Sequence, residues 1–120
     1  MLYVKDLARM KAFYHGTFAL EALPGETDQW VELNAGGVHF ALHAIPAGIA
    51  GRIQILDPPE PRSETPYKLT FEVEDADWLR NKLEASGIQC LARPWGGYDL
   101  VDPEGNIVTV ATLPATPARY

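Results

Sequence analysis

The chain has 120 residues, 47% of them hydrophobic and 22% charged, with 10 Lys and Arg against 16 Asp and Glu for a formal net charge of −6. That length suits one domain with a real core, and the acidic balance without any Lys/Arg cluster excludes nucleic acid as a partner, since phosphate binding needs clustered cations. No apolar run approaches the roughly 20 residues that span a bilayer, Met1-Leu2-Tyr3-Val4-Lys5-Asp6 lacks the regions of a secretion signal, and the single Cys90 allows no intrachain disulfide, so a cytoplasmic protein is expected.

In chain order, Leu2–Lys5 predicts a first strand that ends at Asp6, a residue able to accept the first free N–H groups of a helix. The helix runs from about Leu7 to Phe18, with Leu7, Met10, Phe13, Tyr14 and Phe18 on one face. Three strand-like runs follow, 20–23, 29–34 and 38–44, broken at Pro24-Gly25 and at Ala35-Gly36-Gly37. The stretch from 45 to 66, with Pro46, Pro58, Pro59, Pro61 and Pro66, reads as a connector, in which residues 51–56 predict a brief extended element.

The same order then repeats. Residues 68–73 form a strand that ends near Asp75, and a helix from about Ala76 to Ser86 puts Trp78, Leu79 and Leu83 inward before stopping at Gly87. Strands at 88–92, 98–101 and 107–111 follow, broken at Trp95-Gly96-Gly97 and at Asp102-Pro103-Glu104-Gly105, where Asp, Pro and Gly stand as a type I turn favours. Two β-α-β-β-β modules in one domain are therefore expected, the first at about 1–44, the second at about 67–113, with a tail at 114–120. Neither small sheet can bury a face without a partner layer.

Strand alternation assigns faces. Leu2, Val4, Val31, Leu33, Phe40, Leu42, Leu69, Phe71 and Val73 go beneath the helices. Tyr3, Trp30, Glu32, His39, Ala41, His43, Lys68, Thr70 and Glu72 go to the opposite face. Polar groups mixed with aromatic rings on one sheet face describe a ligand surface. A mixed face covered by a second copy is the plainer alternative.

Tyr3-Val4-Lys5-Asp6-Leu7 with Phe13-Tyr14, then Pro94-Trp95-Gly96, then Asp102-Pro103-Glu104-Gly105-Asn106 resemble, in that order, the motifs of the glyoxalase/bleomycin-resistance/extradiol-dioxygenase (vicinal oxygen chelate) superfamily. The resemblance covers essentially the whole chain. It implies an α+β fold in which two paired βαβββ modules form a U-shaped, cup-like mixed sheet with helices on the outer face, often within a homodimer. Metal-dependent members carry His, Gln or Glu at four cup-facing positions. Here the first falls just upstream of Met1, and the others fall on Ala41, Lys68 and Thr109, none of them a usual ligand for zinc, iron or manganese. His39 and His43 are four apart, which on a strand separates them by roughly 13 Å, too far to share an ion. No metal, no cofactor and no catalytic residue is expected from this set.

Other chemistries find little support. There is no Gly-x-Ser-x-Gly elbow and no phosphate-cradling loop, Cys90 sits in a strand where a buried inert thiol is the common outcome, and His15 reads as a surface residue on the first helix. The favoured expectation is a metal-free binder of a small molecule, its ligand contacted by Tyr3, Trp30, His39, His43, Lys68, Trp95, Tyr98 and Thr109. Lys68 would meet an anionic group on the ligand. The alternative is a lyase, isomerase or dioxygenase of the same superfamily, using a relocated metal or His39 or His43 as a base with Lys68 stabilising an enolate.

Overall fold

A computed structural model of the chain describes residues 1–114, so most of the expected tail lies outside the described residues. The chain divides into two compact units, Met1–Glu60 with Asp102–Gly105, and Pro61–Val101 with the residues from Asn106 onward. Each unit holds one sheet of four strands and one long helix.

The first unit runs β1 (Leu2–Val4), α1 (Leu7–Phe18), β2 (Glu21–Ala22), β3 (Trp30–Ala35), β4 (Val38–Ala44) and the one-turn α2 (Ala47–Ala50). Its sheet order is β1-β4-β3-β2, with β1 parallel to β4 and the other pairs antiparallel. The second unit runs β5 (Leu69–Val73), α3 (Ala76–Ala85), β6 (Leu91–Ala92), β7 (Tyr98–Val101) and β8 (Ile107–Thr112). Its order, β5-β8-β7-β6 with β5 parallel to β8, repeats the first. This is the α+β, twice-written βαβββ fold that the sequence leads one to expect.

The repeat is built by the same local chemistry in both units. The Asp6 side chain accepts the Arg9 N–H at 3.1 Å, and the Asp75 side chain accepts the Trp78 N–H at 2.9 Å. Each satisfies a helix N–H that has no partner within its own helix. Between β3 and β4, Gly36 and Gly37 have φ of 67° and 91°, values that a two-residue hairpin requires and that most side chains avoid.

The first core packs Leu2, Val4, Val31, Leu33 and Leu42 against Met10 and Tyr14 of α1. Each large apolar side chain buried this way contributes about 1.5–3 kcal/mol. Tyr14 meets Phe40 edge-on at 4.9 Å, and its hydroxyl donates to Asp102 Oδ2 at 2.6 Å. Glu104 accepts the backbone N–H groups of Lys5 and Asp6, both at 2.7 Å. What reads in sequence as a type I turn is also a buried clamp on the start of α1. The second core packs Leu100, Val108 and Val110 beneath Ala76, Leu79 and Leu83.

Several expectations change. Residues 51–56 form no strand; the connector instead turns once as α2, which starts after Pro46, whose fixed φ suits a helix start. Trp78 is 61% exposed, because the inward stripe of α3 is Ala76, Leu79 and Leu83, and one residue along a helix is about 100° around it. Its indole instead lies 5.2 Å beneath the Lys82 ammonium. Strands β2 and β6 keep only two paired residues each.

Candidate functional site

In each unit the sheet face away from the helix carries the polar and aromatic side chains, and each face is a site candidate by itself. On the first, β3 and β4 pair Trp30 with His43, Glu32 with Ala41 and Asn34 with His39, while β1 sets Tyr3 beside His43. The His43 ring stacks on Tyr3 at 5.3 Å and meets Trp30 edge-on at 5.3 Å. Its Nδ1 is buried and has no hydrogen-bond partner. Glu32 accepts from Trp30 Nε1 at 3.1 Å and lies 3.1 Å from His39 Nδ1. The structure therefore gathers Tyr3, Trp30 and His43 into one ring cluster and parks His39, mostly exposed, on Glu32.

On the second face, Asp99 of β7 stands opposite Thr109 of β8. Thr109 Oγ1 donates to Asp99 Oδ1 and Lys68 Nζ donates to Asp99 Oδ2, both at 2.7 Å. Arg93 approaches the same Oδ2 to 3.8 Å. Burial by itself raises the Asp99 carboxyl, but the hydrogen bonds from Lys68 and Thr109 and the charges of Lys68 and Arg93 outweigh it. The group is held below its ordinary 3.8 and is an anion at neutral pH. Alternation could have found Asp99, an acid between Tyr98 and Leu100 in a strand, but its neighbours drew the assignment.

Trp95 lies against Gly97, the residue that leads into β7. A Cβ on Gly97 would fall 2.2 Å from the indole, so only glycine lets the ring settle there. Tyr98 is the expected site residue that the structure removes from this face. It is 2% exposed, donates its hydroxyl to Ala76 O of α3 at 2.9 Å, and has its phenol pushed up to about 12 by burial. In β7 the helix-facing set is Tyr98 and Leu100, and Asp99 takes the other side. Cys90 is buried and its thiol is pushed up by burial, which disfavours the reactive thiolate.

A hollow of about 290 Å³ adjoins Lys68, lined also by Arg62, Ser63, Thr65 and Tyr67. A larger one, about 700 Å³, lies in the first unit around the start of α1. Several of its polar groups are engaged: Glu104 holds the Lys5 and Asp6 N–H groups, Lys5 Nζ donates to Ile53 O, and Arg9 sits 4.0 Å from Asp57. Volume alone therefore does not make it the site.

The metal positions that the family resemblance points to do not fit an ion. Ala41 offers a methyl group, Lys68 an ammonium already bonded to Asp99, and Thr109 a neutral hydroxyl whose proton goes to the same carboxylate. Among the described residues no three His, Cys, Asp or Glu side chains are grouped to hold a metal. No helix among them is long and apolar enough to cross a membrane.

Residues 1–110 match the family model described as the Glyoxalase/Bleomycin resistance protein/Dioxygenase superfamily. A search of curated proteins gives no match. Among solved structures, the chain is similar to lactoylglutathione lyase from Agrobacterium tumefaciens, at 26% identity and TM-score 0.63 over 92% of this chain and 88% of that one. It also shares its fold with the fosfomycin resistance protein FosX from Mesorhizobium loti, at 18% identity and TM-score 0.61 over 94% and 87%. The trypanothione-dependent glyoxalase I of Leishmania major aligns at 16% identity and TM-score 0.66 over 93% and 82%.

Proposed function

We infer that this chain, which belongs to the glyoxalase/bleomycin resistance protein/dioxygenase superfamily, is a small-molecule binding protein that works without a bound metal. The observation that carries this reading is the closed Lys68–Asp99–Thr109 network, which spends on one another the groups that would have to chelate an ion. What those faces offer instead is recognition chemistry. Tyr3, Trp30 and His43 supply ring surface in the first unit; Lys68 and Trp95 supply charge and ring in the second, with the buried Thr109 hydroxyl holding Asp99 in place. His39 adds an exposed polar edge beside Glu32. Mixed apolar and polar surface of this kind suits a small organic ligand. The protein acts in the cytoplasm as a homodimer.

Metal analysis of the purified, unchelated protein tests the reading, followed by calorimetric titration with zinc, manganese, nickel and ferrous ions. Metal content well below one ion per chain and no saturable uptake are expected. Near-stoichiometric metal, retained through purification, would overturn it.

A second reading, a metal-free acid–base enzyme, draws on the His43 Nδ1 that no protein group occupies and on the likeness to a lyase at 26% identity. A ring nitrogen without a protein partner takes a substrate proton once a ligand parts the Tyr3 and Trp30 rings that flank it. Multiple turnovers of a carbonyl substrate that cease in His43→Phe would favour this reading over simple binding.

A further inference from the structure

We propose that the helix-free face of the second sheet takes a flat organic anion of single charge, an aromatic carboxylate, with its carboxylate between Lys68 and Arg93 and its ring against Trp95. The proposal deepens the small-molecule reading above and rests on it.

Charge is the first argument. Lys68 reaches Asp99 from the β5 side of the sheet, across β8, and Arg93 reaches it from the β6 side. Two cations thus bracket one carboxylate whose other oxygen is taken by Thr109. The three charges leave one positive charge over, within a chain whose formal net charge is −6. Both cations are partly open to solvent, with side-chain exposures of 39% and 40%, while Asp99 beneath them is at 11%. An incoming anion meets the cations first, and Asp99 holds them at a fixed spacing. Glu72, the other acid on this side of β5, is four residues from Lys68 and so about 13 Å along the strand.

Shape is the second. Arg93 and Trp95 come from one tight turn, closed by Arg93 N–H to Gly97 O at 2.7 Å and Gly96 N–H to Arg93 O at 3.1 Å. Tyr98 turns toward the helix, so Gly97 and Asp99 turn to the other side. The indole resting on Gly97 is 59% exposed, an apolar plate two residues along the same turn from Arg93. A planar ring stacks on such a plate with little loss of conformational freedom, and a carboxylate suits the planar fork of an arginine. A bare inorganic anion would leave the plate unused, and an uncharged ring would leave the cations unused.

Calorimetry of the full chain with three ring-matched probes tests this: 1-naphthoate, neutral 1-naphthamide and cationic 1-naphthylmethylamine. Naphthoate is expected to bind at least about tenfold more tightly than either of the others, and to weaken as salt is raised from 0.05 to 0.5 M. Lys68→Met and Arg93→Met should each cost about tenfold for naphthoate while leaving naphthamide unchanged, and Trp95→Ala should weaken both. Circular dichroism shows whether each variant folds, and the three-probe comparison on the unaltered chain decides the question if one does not. Equal binding of all three probes overturns the anion preference but leaves small-molecule binding standing. Binding of none overturns the ligand class. Failure of the metal-free reading would appear separately, as stoichiometric metal in the analysis above.

Discussion

Asp99 is a carboxylate whose environment opposes itself: burial disfavours its charge, and Lys68, Thr109 and Arg93 favour it more strongly. Because its folded pKa lies below the ordinary 3.8, the network adds stability that is fully present above about pH 4. That contribution is lost as pH falls through the folded value. Asp99→Asn should therefore lower stability by about 1–2 kcal/mol at pH 7, because the neutral amide oxygen still accepts from Thr109 but loses the charge that strengthens that bond and the ion pair with the partly solvent-screened Lys68. The gap between the variant and the parent chain should narrow below about pH 4. Urea unfolding at pH 7 and pH 3 checks this, and a gap that stayed constant across both would show that Asp99 contributes no charge-dependent stability. The same residue shows what one-dimensional reading misses. Lys68 and Thr109 are apparent from their positions, but the carboxylate that binds them together sits in a strand where Tyr98 is the more conspicuous side chain.

At the scale of elements, the two capping aspartates are the clearest case in which local chemistry decides structure. Asp6→Ala and Asp75→Ala should each cost about 0.5–2 kcal/mol in urea unfolding, since either leaves a helix N–H without its partner. Substitution to Asn should restore most of the loss, because its side-chain oxygen accepts the same bond. A loss that Asn failed to restore would point to charge rather than capping. The helices, the hairpin glycines and the facing of β1, β3, β4 and β5 were legible because each rests on contacts within a few residues. Trp78 and Tyr98 were not, because their facing follows from the phase of their neighbours and not from residue type: Ala76, Leu79 and Leu83 define the stripe of α3, and Asp99 defines the open side of β7. The Asp102–Gly105 turn was legible as a turn and not as a clamp. Its bonds to Lys5, Asp6 and Tyr14 span 88 to 99 residues of chain, a distance over which no local pattern speaks.

At the scale of the molecule, the repeat is topological and not chemical, since one open face carries rings and the other a charge network. Each unit also leaves large apolar side chains in water: Val38 at 67%, Ile49 at 55% and Leu56 at 51% in the first, and Leu91 at 60% in the second. Single exposed apolar residues are ordinary, but several in so small a chain are a reason to associate, because covering apolar surface yields about 25 cal/mol per Å². Each four-stranded sheet also ends on an edge strand, β1 or β5, at one side and on a two-residue strand at the other. Closed two-fold pairing is the common solution for such a chain, and about 800 Å² covered per partner makes a stable interface. Sedimentation equilibrium at micromolar concentration should therefore give about twice the chain mass of 13.2 kDa. High salt should leave the association intact or tighten it, since a chain of formal net charge −6 repels its own copy and salt screens that repulsion. A mass of one chain at tens of micromolar would overturn the homodimer, and the exposed apolar residues would then have to be accounted for by another partner.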